Sequence, residues 1–142
     1  MKILFLDFDG VLHSVRGDFD DQFCHLENLK AIIGDTPVVV SSSWREVFSL
    51  EDLKDMLDGV NIIGMTPVST GGKSWEPVAR YFECIAWLKD NNMLDANWRA
   101  LDDQESMFEL DSPCANLILC SESVGLAKGS NADIELEKWT NS

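Results

Sequence analysis

Short apolar runs punctuate this chain, and most of them stop at polar or acidic residues. The first, Ile3-Leu4-Phe5-Leu6, is too short for a buried helix and suits a strand covered on both faces. Val38-Val39-Val40 follows a break at Thr36-Pro37 and ends in Ser41-Ser42-Ser43-Trp44-Arg45, which predicts a second buried strand. Val60 to Ile63, Trp98 to Leu101 and Asn116 to Cys120 complete the predicted set. Between these runs the apolar period becomes helical. Leu26, Leu29, Ile32 and Ile33 precede Gly34, which sits where a helix C-cap falls. Ser49 and Asp52 have capping spacing ahead of Leu50, Leu53 and Leu57, and Gly59 stops that helix. Pro77 fits a first helical turn before Val78, Phe82, Ile85 and Leu88, a stripe reaching Asp90. Asn131 is placed to cap a last helix running through Trp139. Leu12 to Gln22, polar around Arg16-Gly17-Asp18, suits a small flap or hairpin, and Met65 to Ser74 reads as a loop rich in Thr, Gly and Ser.

Strands alternating with helices at this spacing predict a parallel sheet with helices on both faces. Right-handed crossovers then carry every strand's C-terminal end to one edge, where open α/β sheets bind ligands. Three of those ends carry chemistry: Asp7-Phe8-Asp9-Gly10, Ser41, and Asp102-Asp103. Gly10 permits an unusual backbone angle, so carboxylates and peptide groups can surround one small volume able to hold a cation or a phosphate. Taken alone, Asp-x-Asp-Gly is also an ordinary polar turn. The company of the other two strand ends is what singles it out.

Composition narrows the class. The 142 residues are about one domain's length, with no repeat, low-complexity tract or linker, so a single domain over 1–142 is expected. Eleven Lys and Arg against 25 Asp and Glu give a formal charge of −14, which repels nucleic-acid backbones and acidic membranes unless basic residues cluster locally. Cys24, Cys84, Cys114 and Cys120 form no Cys-x-x-Cys pair, and His13 and His25 do not complete a zinc pattern. Buried free thiols in a reducing cytosol are the economical expectation. Asp7 interrupts the first apolar run far short of a signal-peptide core or a membrane span, so a soluble cytoplasmic protein without membrane partners is expected.

Gathering Asp7, Asp9 and Asp102 at one edge is costly, since two like charges about 4 Å apart repel by roughly 4 kcal/mol at an effective dielectric of 20. A cation should hold them, and an all-oxygen set with room for water and phosphate oxygens favours Mg²⁺ over zinc.

Asp7-Phe8-Asp9-Gly10-Val11, a serine closing the second strand, a basic residue near a later helix start and the Asp102-Asp103 pair resemble, in that order, the haloacid dehalogenase superfamily of phosphotransferases. The resemblance spans nearly the whole chain. It implies a three-layer, Rossmann-like parallel sheet of about five strands in the order 3-2-1-4-5. Neither interval between motifs has room for a large cap domain. It also implies roles. Asp7 is the expected nucleophile, forming an aspartyl-phosphate, and Asp9 the acid that protonates the leaving oxygen and then the base that activates water. Ser41 matches the hydroxyl that binds a phosphoryl oxygen, with Ser42 and Ser43 open by spacing alone. Arg80 is preferred over Lys73 as the cation of the third motif, because Arg80 precedes Glu83 by three residues as in the Arg-x-x-Glu-Ile of single-domain relatives. Asp7, Asp9, Asp102 and Asp103 are the expected metal residues, the order of the last two left open. Gly10, Ser42, Arg45 and Lys73 are expected at the substrate, and His13 and Arg16 are candidates to touch it.

A capless site is open to a phosphorylated small molecule or to a macromolecular phosphate end. The chain is also similar to the stand-alone phosphatase modules of RNA-repair proteins, through Ser41 to Arg45, Arg80 and the Gly125-Leu126 region. Arg16, Arg45, Lys73, Arg80 and Lys128 all fall in segments expected at the active edge, a potential positive rim. The expectation is a Mg²⁺-dependent phosphatase acting on a phosphate monoester. The alternatives are a polynucleotide end-healing phosphatase, which the acidic charge disfavours, and a catalytically silent binding or regulatory module.

Overall fold

The computed structural model describes residues 1–15, 17, 19–68, 79–108 and 114–142. Its centre is β1 (Lys2–Leu6), whose fully buried Ile3 to Leu6 leave no edge to solvent. β2 (Val38–Val40) pairs on one side and β4 (Asn97–Asp102) on the other, with Phe5 in register with both Val39 and Ala100. β3 (Ile62–Met65) and β5 (Leu117–Leu119) extend the sheet outward, every pairing is parallel, and the order is β3-β2-β1-β4-β5. This is the Rossmann-like topology that the sequence implied.

The pleat divides the core into two. Leu4, Leu6, Val38 and Val40 face a cluster with Leu29 and Ile33 of α1 (Leu26–Ile33), Leu53 of α2 (Leu50–Met56) and Leu136 of α4 (Asn131–Thr140). Ile3, Phe5 and Val39 face the other, with Cys84, Trp87 and Leu88 of α3 (Ala79–Asp90). Successive side chains of one strand thus anchor opposite layers. At α2 the spacing of Ser49 and Asp52 becomes a complete capping box, each side chain bonded to the other's backbone amide.

Several boundaries move. β3 begins at Ile62 rather than Val60, because Val60 is spent in the turn that leaves α2, its amide bonded to the Leu57 carbonyl. Ser130 caps α4 in place of Asn131, accepting a hydrogen bond from the Asp133 amide. The start expected for α3 near Pro77 lies outside the described residues. Of its expected stripe Leu88 is buried and Ile85 packs against the core, but Phe82 is 55% exposed, and the buried face runs through Arg80, Glu83, Cys84, Trp87 and Leu88. Those positions have perfect helical spacing once an arginine and a glutamate are admitted to the stripe.

The segment expected as a flap is, where described, a loop tied down at several points. The Val11 and Leu12 carbonyls accept from the Leu126 and His25 amides, and the Val15 amide donates to Glu122. All four cysteines are free; Cys84 and Cys120 are buried, but Cys24 is exposed, so burial does not extend to every thiol. No described helix is long and apolar enough to cross a membrane.

Candidate active site

β1, β2 and β4 end side by side, and the backbone ladder runs just past them. The Asp7 amide donates to the Leu101 carbonyl and the Ser41 amide to Leu6, which fixes both residues at the same edge. Asp102 is the last residue of β4 and is wholly buried. After Asp7 the chain must turn at once, and Gly10 does so at φ 77°, where its amide meets the His13 carbonyl at 2.9 Å. A side chain at Gly10 would run into the Asp103 carboxylate, so glycine here is also a requirement of space.

Arg80 joins the strands. Its Nη1 donates to Asp102 Oδ2 at 2.6 Å and lies 3.0 Å from Asp7 Oδ2. Asp7, Asp102 and Asp103 each offer a carboxylate oxygen within 4.8 Å of the others. Asp102 Oδ1 accepts from the Gln104 amide, whereas Asp103 Oδ1 is buried with no partner among the described residues. Burial, and then the Asp102 charge, push the Asp7 carboxyl well above the usual carboxylate range, with Arg80 opposing them. Burial likewise pushes Asp103 up to about 6. One guanidinium faces three carboxylates, so negative charge is left over. A hard divalent cation would balance it, and the oxygen-only donor set with its orphaned Asp103 oxygen fits Mg²⁺.

Asp9 stands apart. Its carboxylate, expected among the metal ligands, is not in that group; it is half-exposed and bonded to His13 Nε2 at 2.8 Å and to the Trp44 indole N–H at 3.1 Å. His13, a candidate to touch substrate, is instead packed beneath Asp9 with its side chain 10% exposed. Trp44 was not anticipated in any role; its only signal in the sequence was its place just after the serine run.

The serines separate. The Ser41 hydroxyl is buried without a partner among the described residues, while the Ser42 hydroxyl accepts from the Trp44 amide as the cap of a short 3-10 turn over Ser43–Glu46. Ser42, expected at the substrate, is fully buried and accepts that bond while its hydroxyl proton stays available to donate. Arg45 is committed more fully: it donates to the carbonyls of Ser41, Ser42, Thr66 and Pro67 and pairs with Glu83 at 2.9 Å. Its guanidinium is spent bracing the ends of β2 and β3 against α3. Glu83 was legible only as part of the Arg-x-x-Glu spacing. Lys73 and Arg16 lie outside the described residues. The expected positive rim loses Arg45 and Arg80 to internal ion pairs, and Lys128 sits beside Asp133 and Glu137 along a separate groove.

The sheet order, the motif positions and this carboxylate cluster define a HAD-superfamily, phosphatase-like module. More narrowly, the chain belongs to the family described as the HAD domain in Swiss Army Knife RNA repair proteins, whose sequence model matches residues 3–130. No curated protein and no solved structure matches it.

The raised carboxyls give a signed prediction. A folded-state value of about 6 for Asp103, against an ordinary 3.8, means that the folded protein holds the extra proton between those values. Its stabilising contribution is full below the lower value and is lost as pH rises through the upper one. Metal-free wild type should therefore lose melting temperature relative to Asp103→Asn as pH is raised from about 4 to about 7. Thermal melts in chelator check this, and a difference that stays constant across the window contradicts it.

Proposed function

We propose that this chain is a Mg²⁺-dependent phosphatase that hydrolyses a phosphate monoester through an aspartyl-phosphate on Asp7. The observation that carries the reading is the buried Arg80 bridge between Asp7 and Asp102, with the unpartnered Asp103 oxygen beside it. Asp7, Asp102 and Asp103 would hold the cation, which when bound offsets the repulsion between carboxylate and phosphate and lets Asp7 ionise.

The Asp7 carboxylate attacks phosphorus, an Asp7–O–P bond forms, and the ester P–O bond breaks. Asp9 gives its proton to the departing oxygen. It then takes a proton from the water that attacks the acyl-phosphate, releasing inorganic phosphate and restoring Asp7. Arg80 holds Asp7 in place and keeps positive charge beside the reacting group. The Ser41 hydroxyl, free of protein partners among the described residues, supplies a donor for a phosphoryl oxygen. Asp9 is suited to its task because it is the half-exposed carboxylate next to the buried cluster.

Asp7→Asn should remain folded and lose at least about a hundredfold in turnover of an aryl phosphate, since an amide of the same size is a poor nucleophile. Circular dichroism and a rate assay check it; more than about a tenth of wild-type activity removes Asp7 from that role.

A second reading, a phosphatase that heals polynucleotide ends, is favoured by the family's description as a domain of RNA repair proteins. The formal charge of −14 and the internal pairing of Arg45 and Arg80 weigh against a long backbone contact. The steepness of the salt dependence separates the two. For end-healing, kcat/KM on a phosphorylated oligonucleotide should fall by orders of magnitude between about 50 and 200 mM salt while that on an aryl phosphate stays flat. Parallel, shallow profiles favour a small substrate.

A further inference from the structure

The loop after β1 contains a hydrogen-bond relay that the reaction above does not use. The Phe23 amide donates to His13 Nδ1 at 3.2 Å. A ring nitrogen that accepts a hydrogen bond carries no proton, so the other nitrogen, Nε2, bears it and donates to Asp9 Oδ1 at 2.8 Å. The Trp44 indole N–H holds the other oxygen, Asp9 Oδ2, at 3.1 Å. Both carboxylate oxygens are therefore gripped, yet each keeps a further lone pair for a proton.

The surroundings explain the grip. His13 is bridged to Asp9 through the backbone as well, and its carbonyl accepts from the Gly10 amide. Its ring lies 5.5 Å from the Phe23 ring and 6.2 Å from Trp44, and those two rings meet each other at 5.2 Å, so the imidazole packs against an aromatic pair. Phe23 itself is held at φ 59°, a left-handed conformation unusual for a bulky residue. That strained backbone is what presents its amide to Nδ1.

We propose that His13, kept as the Nε2–H tautomer by the Phe23 amide, is a positioning residue that orients the Asp9 carboxylate for proton transfer to the leaving oxygen. This rests on the reading of Asp9 as acid and base. It differs from direct substrate contact, because the His13 side chain is buried and both ring nitrogens are already engaged.

Leaving-group dependence distinguishes the role from simple support. A p-nitrophenolate departs without a proton, whereas an alkoxide needs one, so a misplaced Asp9 harms alkyl esters selectively in kcat/KM, which ends at release of the leaving group, while its later activation of water serves both esters alike. Gln places an amide nitrogen near the position of Nε2 and Asn near that of Nδ1. His13→Gln should keep kcat/KM on glycerol phosphate within about fivefold of wild type, while His13→Asn loses about a hundredfold in kcat/KM on that ester and less than about tenfold on p-nitrophenyl phosphate. Nitrogen-15 spectra of wild type, with the His13 signals assigned by their loss in His13→Gln, should show the proton on Nε2 whether or not any substrate is turned over. Equal losses on the two esters, a Gln variant no better than Asn, or a proton on Nδ1 would each overturn the proposal. A wild-type protein inactive on both esters instead removes the phosphatase reading itself, with the tautomer still deciding the geometry.

Discussion

The structure depends on one buried ion pair network, that of Arg80 with Asp7 and Asp102. Burying charge is expensive, and a pair inside a protein contributes less than an apolar contact of the same volume unless its geometry is good. Here a single guanidinium nitrogen ties the end of β1 to the end of β4 from the first described turn of α3. One turn further along the same helix, Glu83 takes hold of Arg45, whose other donors secure the carbonyls that follow β2 and β3. Two residues three apart on one helix thus fasten the ends of four strands. Breaking either pair would leave a buried charge without its partner, which is a larger penalty than the pair's net worth.

That arrangement also explains why, among the described residues, so acidic a chain shows little free positive charge at its candidate site. Arg45 and Arg80 are consumed in building the edge, and among the described residues what gathers there is a group of carboxylates with one shared guanidinium. Asp9 lies outside this balance. Held by His13 and Trp44 rather than by Arg80, it has neighbours that differ from those of Asp7, which suits the two tasks proposed for these carboxylates.

Much of this was legible in the sequence, and the parts that were not share a cause. β1 and β2 announce themselves because central parallel strands are buried on both faces and read as unbroken apolar runs, whereas in β4 Arg99 interrupts the run. Asp7, Ser41 and Asp102 could be located because each closes such a run. On α3 apolar periodicity finds Leu88 and Ile85 but also selects the exposed Phe82 and misses Arg80 and Glu83, made tolerable inside only by partners distant in sequence. Arg45 looks like a substrate group until its donors are counted, and that count needs the tertiary structure. His13 and Trp44 are brought to Asp9 by two separate segments, the loop after β1 and the short turn after β2, neither with a periodicity to read.

The central claim is that the strand edge is shaped to hold a divalent cation next to a carboxylate that accepts a phosphoryl group. Thermal melting in the presence of Mg²⁺, and then of Mg²⁺ with beryllium fluoride as a phosphoryl mimic, tests it without any knowledge of the substrate. Cation binding to the folded state alone contributes about 2.7 kcal/mol at a hundredfold excess over Kd, a rise on the order of 10 °C for a domain of this size. The account predicts that rise, a second increment with beryllium fluoride, and loss of the second increment in Asp102→Asn. A melting curve indifferent to millimolar Mg²⁺, in wild type and variant alike, would contradict it.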